Sequence, residues 1–106
     1  MIFVETPVFT RQLRGFLTDE EYRELQAELL LSPERGAKIP GTGGQLRKIR
    51  WGLSGRGKRG GVRVIYHHSV SLDQIFMLLI YGKNEADDLT EGQKKLLRQV
   101  VEDFYP

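Results

Sequence analysis

The chain is predicted to fold as an α+β domain, a small and mostly antiparallel sheet with helices packed against it. Capping boxes at Thr18 and Thr90 each precede apolar residues at helical spacing, a pattern typical of an amphipathic helix. Three segments rich in β-branched and aromatic residues lie between them, at 45–51, 62–69 and 74–81. With a short apolar strand at the start, these segments predict the order β-α-α-β-β-β-α, with a helical hairpin near the N-terminus and a helix at the C-terminus.

The first third of the chain predicts that strand and hairpin. Residues 2–4 are apolar, and Thr6 followed by Pro7 is typical of a helix start, because threonine caps and proline suits the first turn. The helix that begins after Thr18 is expected to end before Pro33, since the residue preceding a proline resists the helical region. The predicted inner faces of the two helices consist of Phe9, Leu13, Phe16, Tyr22, Leu25, Leu29 and Leu30.

The rest of the chain predicts loops, strands and a final helix. Residues 36–44 and 52–61 are glycine-rich and are predicted as loops. The first contains Gly-Thr-Gly-Gly at 41–44, but it lacks the Lys-Ser/Thr and the helix of a nucleotide-binding loop, so nucleotide binding is rejected. Segment 74–81 is nearly all apolar, as expected for a strand covered on both faces. The stripe of the last helix consists of Leu96, Leu97, Val100, Val101 and Phe104.

Length and composition narrow the class of protein. A chain of 106 residues predicts one domain, 1–106, and the lack of cysteine excludes disulfides and thiolate metal sites. The two histidines are adjacent and make no zinc site unless carboxylates complete it, so we expect neither a metal nor another cofactor. The longest apolar run, 75–81, is too short to cross a bilayer, and the N-terminus does not resemble a secretory signal. A cytoplasmic protein without membrane contact is expected.

Charge is distributed unevenly along the chain. Residues 1–34 have a net charge of −4, residues 35–72 carry nine basic and no acidic side chains, and residues 73–106 have a net charge of −3. These charges could interleave on a solvated surface in three dimensions. A cationic block of this size more often meets an anionic partner such as nucleic acid, and we favour that interpretation.

Four basic residues are candidates for one functional face. Side chains alternate along a strand, so Lys48 and Arg50 share one face, and Arg63 on the following strand can come beside them if the two strands pair. Lys83 follows the next strand directly. Basic side chains on a sheet are often mere solubility features, but four on adjacent strands are harder to explain in that way.

Such a face suits RNA cleavage. RNA supplies its own nucleophile, the 2′-hydroxyl, so the protein must hold the backbone in line, accept a proton and stabilise charge on phosphorus. The planar fork of arginine fits phosphate oxygens, and a lysine crowded by cations loses its proton more easily and can act as a base.

Other polar and aromatic residues have a structural alternative. Tyr66 and Tyr81 are more simply explained as packing residues than as catalytic acids, and Trp51 as a cover for the core rather than a base-stacking residue. His67 and His68 point to opposite faces of their strand. Either could donate a proton, but a hydrogen-bonded structural role is favoured.

Several motifs, in order, resemble one family. They are Gly-Thr-Gly-Gly at 41–44, Leu-Arg-Lys-Ile-Arg at 46–50, the basic glycine-rich run and strand at 57–66, and Ile-Tyr-Gly-Lys-Asn-Glu at 80–85. Their order and spacing resemble the RelE/ParE toxin superfamily, and most closely the HigB-like branch of the RelE-type toxins. The resemblance covers nearly the whole chain.

The resemblance implies the toxin of a type II toxin–antitoxin system with a RelE-like fold. It implies a metal-independent endoribonuclease that cuts messenger RNA in the A site of the 30S ribosomal subunit, and a cognate antitoxin, expected to be a small DNA-binding protein. The catalytic roles fall on Lys48, Arg50, Arg63 and Lys83. The residues expected to bind RNA are Arg47, Arg56, Lys58 and Arg59.

The chain departs from the best-known RelE pattern near its end. Asn84 stands where that pattern has a second basic residue, and no tyrosine follows near Thr90. The general acid is therefore not identified. Two alternatives stay open: a ParE-like inhibitor of DNA gyrase that acts by protein binding, and an RNA-binding module without chemistry.

Overall fold

The computed structural model of the chain describes residues 1–52, 61–82 and 88–105. Its elements are β1 (Ile2–Glu5), α1 (Pro7–Leu13), α2 (Asp19–Leu31), β2 (Ala37–Lys38), β3 (Arg47–Trp51), β4 (Val62–Ser69), β5 (Gln74–Gly82) and α3 (Glu91–Phe104). The predicted order is confirmed with one addition, since two residues of the predicted loop 36–44 form the short strand β2.

The strands form one five-stranded sheet in the order β1-β5-β4-β3-β2. The pairs β2–β3, β3–β4 and β4–β5 are antiparallel, and only β1, at one edge, runs parallel to its neighbour β5. Asp73, in the tight turn between β4 and β5, has a φ of 54°, a conformation that aspartate tolerates better than most residues. These three antiparallel pairs and one parallel pair confirm the predicted mostly antiparallel sheet.

One face of the sheet is covered by α1 and α2. Both helices begin as predicted: the Thr6 hydroxyl accepts a hydrogen bond from the Phe9 amide, and Thr18 forms a capping box with Glu21. Leu25 and Leu29 are fully buried in the core on this face. The prediction for Leu30 is wrong: it is 51% exposed, because it lies about 100° around the helix from Leu29 and faces solvent.

The other face is covered in part by α3. Thr90 and Gln93 form the predicted capping box. Val101 is buried, and Leu97 and Val100 pack beside it against a second core that includes Ile65, Phe76 and Leu78. The outer members of the predicted stripe depart from expectation. Leu96 is 64% exposed and Phe104 50% exposed, because a single helix touches a sheet along a narrower line than the apolar stripe occupies.

None of the three helices in the described part of the chain is long and apolar enough to span a membrane.

Candidate active site

The pairing of β3 with β4 brings three of the predicted catalytic residues together. Arg50 lies directly opposite Arg63, and Lys48 lies opposite Ile65. Opposite residues of an antiparallel pair point to the same face, and so do residues two apart on one strand. Lys48, Arg50 and Arg63 therefore share one face of the sheet, the face on which α3 packs. These three residues are called the cation cluster below.

The two arginines of the cluster carry charge that no described carboxylate neutralises by an ion pair. Arg50 is exposed and Arg63 is half-buried. The Nε of Arg63 is buried, and no hydrogen-bond acceptor among the described residues reaches it. Tyr81 lies opposite Arg63 on β5 and is 6% exposed, so the row across the sheet runs Arg50, Arg63, Tyr81. Among the described residues, the neighbouring strands β3 and β5 flank Arg63, and no carboxylate pairs with it.

Lys48 has an acidic partner that the sequence interpretation missed. Its Nζ lies 2.9 Å from Oδ1 of Asp88, whose side chain is 81% exposed, whereas the Lys48 side chain is 14% exposed. The hydrogen bond and charge of Lys48 lower the pKa of Asp88, and Lys94 and Arg50 contribute in the same direction. From the sequence, the expected charged neighbours of Lys48 are all basic residues. No spacing signal joins residues 40 positions apart, so this contact needed the structure.

A groove of about 450 Å³ runs along Lys48 and Arg50, two of the three members of the cation cluster, and Arg63 does not line it. Lys48, Arg50 and Asp88 line it, together with Arg35 and Lys38 from the segment around β2. Arg35 is paired with Glu28 and lies 5.8 Å from the centre of the Trp51 ring. The groove thus offers four cations to one exposed acid, an arrangement that suits an anion such as phosphate.

Arg47 lies on the opposite face of β3 from the cluster. Its Nη1 donates to the carbonyl oxygens of Glu34, at 3.1 Å, and Gly36, at 2.7 Å. These bonds give Arg47 a role in holding the chain segment that precedes β2. The other residues expected to contact RNA or to assist catalysis lie outside the described residues: Arg56, Lys58, Arg59 and Lys83.

Tyr66 is a structural residue, in keeping with the favoured sequence interpretation. It is fully buried, its hydroxyl donates to the Pro33 carbonyl at 2.7 Å, and it accepts from the Gly36 amide at 2.8 Å. Burial raises its pKa above the ordinary value. A Cβ on Gly36 would stand 2.7 Å from the Tyr66 ring, so only glycine fits there.

The two histidines stand apart from the cation cluster. His67 is hydrogen-bonded through Nδ1 to the Gln45 carbonyl at 2.8 Å and packs on the Tyr105 ring. It lies four residues beyond Arg63 on β4, about 13 Å along the strand. His68 pairs with Ile75 and points to the other face. Neither supplies a general acid beside Arg63 in this arrangement.

In the described segments, no three His, Asp or Glu side chains are grouped as metal ligands.

No protein-family model matches the chain. Its structure is similar to that of E. coli toxin RelE. A mutant of that toxin with two arginines replaced by alanine, in the free state, matches with a TM-score of 0.56 and 22% identity over 81% of this chain and 85% of that one. The same mutant in complex with the antitoxin peptide RelBc matches with a TM-score of 0.55 and 22% identity over 80% and 84% of the two chains.

A crystal structure of the isolated E. coli RelE toxin matches with a TM-score of 0.50 and 18% identity over 93% of this chain and 97% of that one. The chain therefore has the RelE fold, which confirms the fold that the sequence resemblance implies. Placement in the HigB-like branch stays a prediction.

Proposed function

We propose that the chain is the toxin of a type II toxin–antitoxin system, a ribosome-dependent endoribonuclease that cuts messenger RNA in the A site. The observation that carries the proposal is the pairing of Arg50 with Arg63, beside Lys48, on one face of a RelE-type sheet. The RelE fold supports the same function by similarity.

The reaction breaks one bond of the RNA backbone and forms another. The 2′-oxygen attacks the adjacent phosphorus, the bond from phosphorus to the 5′-oxygen breaks, and the products carry a 2′,3′-cyclic phosphate and a 5′-hydroxyl. Negative charge builds up on the phosphate oxygens in the transition state. Arg50 and Arg63 present guanidinium groups on the face where that charge develops, and such preorganised donors contribute about 100- to 1,000-fold each.

Lys48 is the candidate to accept the proton of the 2′-hydroxyl, and Arg50 supports the transition state. Asp88 and a phosphate group compete for Lys48, because both are anions. RNA binding therefore has to displace or rearrange the contact between Lys48 and Asp88. The role of Lys83 stays a prediction of the sequence, and the general acid is not assigned to a residue.

The proposed partners follow from the same assignment. E. coli RelE is found in complex with an antitoxin peptide, and we infer that a cognate antitoxin, a small DNA-binding protein, neutralises this chain. Its proposed substrate is messenger RNA on the translating ribosome, which places it in the cytoplasm.

Primer extension on a message from cells expressing the chain tests this function. Cuts at discrete positions within translated codons support the nuclease. Intact messages with trapped gyrase–DNA complexes would identify a ParE-like inhibitor. Intact messages on ribosomes that retain the bound chain would identify an RNA-binding module without chemistry.

A further inference from the structure

A second groove lies beside the one that runs along the cation cluster. It has a volume of about 460 Å³ and lies between Gly41 and the side chains of α3, among them Lys94, Lys95 and Arg98. Residues 39–44, called loop 39–44 below, lie in the glycine-rich segment 36–44 for which nucleotide binding was rejected, and they contribute to the lining of both grooves.

The linings of the two grooves adjoin each other along the chain at two places. Ile39 and Pro40 line the first groove, and Gly41, the next residue, lines the second. On the other side, Asp88 lines the first, and Glu91, three residues later at the start of α3, lines the second. A polymer that lies on the cation cluster can therefore continue between the loop and α3.

The side chain of Arg98, which lines the second groove, is held in position by the loop. Gly43 has a φ of 62°, and a Cβ added there would stand 3.3 Å from Nη2 of Arg98. The Arg98 Nε donates to Oε1 of Gln45 at 3.3 Å, and the buried Thr42 hydroxyl donates to the Ile39 carbonyl at 2.6 Å. The glycine thus allows the guanidinium to lie against the loop backbone, which fixes the position of the arginine.

The charges of the second groove leave cations for a ligand. Glu91 is paired with Lys94 at 3.1 Å, and Glu102 also lines the groove. Arg98 and Lys95 form no ion pair with a described carboxylate. Lys38, which lines the first groove, has the end of its side chain about 4.0 Å from the Cβ position of Gly44. A half-buried, oriented guanidinium with lysines around it favours phosphate over a neutral ligand.

We propose that the groove between loop 39–44 and α3 binds the phosphodiester backbone of single-stranded RNA beside the bond held at the cation cluster, with Arg98 as the main phosphate contact. This inference rests on the proposed function, because it extends the path of the same RNA. It also gives a reason for Gly43, which lets Arg98 lie close to the loop.

Binding of non-cleavable RNA to the purified chain tests the inference. The probes are a fluorescein-labelled trinucleotide and a dodecanucleotide of the same base composition, with 2′-O-methyl groups throughout, measured by fluorescence anisotropy over a series of salt concentrations. Arg98→Gln is expected to weaken dodecanucleotide binding about 3- to 10-fold, as for loss of one hydrogen-bonded contact. The slope of log affinity against log salt should fall by about 0.7, the value for one phosphate of a single strand.

Matched controls separate this groove from general charge effects. Arg23→Gln makes the same charge change on the exposed side of α2, across the sheet, and should leave both affinities within about 2-fold of the wild type. The trinucleotide, which is too short to fill both grooves, should lose less affinity than the dodecanucleotide in Arg98→Gln. If Arg98→Gln fails to fold, the exposed Lys95→Gln replaces it, with a smaller loss of the same kind expected.

Equal affinities of Arg98→Gln and Arg23→Gln for the dodecanucleotide would overturn the inference, as would no measurable binding of the dodecanucleotide by the wild type at low salt. Cleavage of a ribosome-bound message by the wild type is measured separately. Its absence refutes the proposed function, whereas cleavage with no specific effect of Arg98→Gln refutes only the second groove.

The same ribosome assay distinguishes two sources of the phosphate. A message with neutral methylphosphonate linkages beside the cut codon should abolish the difference between wild type and Arg98→Gln if the groove holds messenger RNA. If the difference persists with that message, the groove holds ribosomal RNA. Only the first result supports the inference, because the proposed groove extends the path of the cleaved RNA. The second result overturns it, and so does the lack of a difference with any message.

Discussion

The two faces of the sheet differ in what their basic residues do. On the face covered by α1 and α2, Arg47 donates to two backbone carbonyls and Tyr66 joins the same segment, so polar groups there hold the chain together. On the α3 face, Arg50 and Arg63 have no ion-pair partner among the described carboxylates. The proposed function uses their charge to bind the phosphate groups of RNA.

Under the proposed function, the basic residues of one face stabilise the fold and those of the other face act on RNA. The residues of β3 alternate between the two roles, because successive side chains point to opposite faces. Substitutions on the first face should therefore change the free energy of unfolding, and substitutions on the second should change activity.

The largest expected effect concerns stability. Leu25→Ala removes a fully buried side chain of α2 and should lower the free energy of unfolding by about 2–5 kcal/mol. Leu30→Ala, on the same helix but half exposed, should cost less than about 1 kcal/mol. Chemical denaturation of both variants measures the difference. Equal losses would mean that α2 packs in another orientation.

Arg63→Ala should lose activity but keep its stability, in contrast to Leu25→Ala. Messenger cleavage is expected to fall about 100- to 1,000-fold, because a donor to the developing phosphate charge is removed. Stability should change by about 1 kcal/mol or less, since Arg63 forms no ion pair with a described residue. Primer extension and thermal unfolding on the same preparation test both halves. A folded variant that still cuts at the wild-type rate would remove Arg63 from the site.

Tyr66→Phe tests whether the first face is only structural. The change keeps the ring but leaves the buried Gly36 amide without its acceptor, which should cost about 1–3 kcal/mol. When the assay is run well below the melting temperature of the variant, Tyr66→Phe should cleave messenger RNA at close to the wild-type rate. A loss of cleavage as large as that of Arg63→Ala, in a folded protein, would show that the two faces are not separate.

The smallest expected effect is a gain in RNA affinity, whereas the variants above lose stability or activity. Asp88→Asn removes the anion that competes with RNA for Lys48, so affinity for the non-cleavable dodecanucleotide should rise a few-fold, about 2- to 5-fold. Asp19→Asn, at the start of α2, is the matched control. Weaker binding in Asp88→Asn than in the control would mean that Asp88 positions Lys48 rather than competing for it.

The pH dependence of that effect follows from the pKa of Asp88. Because Lys48 lowers this pKa below its ordinary value of 3.8, the ion pair contributes above about pH 3.8 and is lost only as pH falls through the lowered pKa. The difference between wild type and Asp88→Asn should therefore be constant between about pH 5 and pH 8. Affinity measured across that range checks it, and a difference that disappears near pH 6 would contradict the assignment.

Much of this arrangement could be predicted from local rules. The capping boxes at Thr18 and Thr90 placed two helix starts, and strand alternation placed Lys48 and Arg50 on one face. The register that sets Arg63 opposite Arg50 depends on the pairing of β3 with β4. From the sequence, this pairing was an assumption.

Contacts across long sequence distances could not be predicted. The ion pair of Lys48 with Asp88 and the packing of Arg98 against Gly43 join residues that share no periodic pattern. The apolar stripes also overstate burial, as Leu30 and Leu96 show, since periodicity identifies a face of a helix but not the width that its neighbour covers.

In the proposed reaction, the sugar hydroxyl of the RNA attacks the phosphorus while Arg50 and Arg63 stabilise the negative charge. A ribosome-bound message with a single 2′-deoxynucleotide on the 5′ side of the cut bond tests this most directly. We predict that this message stays whole at that position, and that the unmodified message yields a 2′,3′-cyclic phosphate and a 5′-hydroxyl. Cleavage at the deoxynucleotide, or products with a 3′-hydroxyl and a 5′-phosphate, would contradict the account.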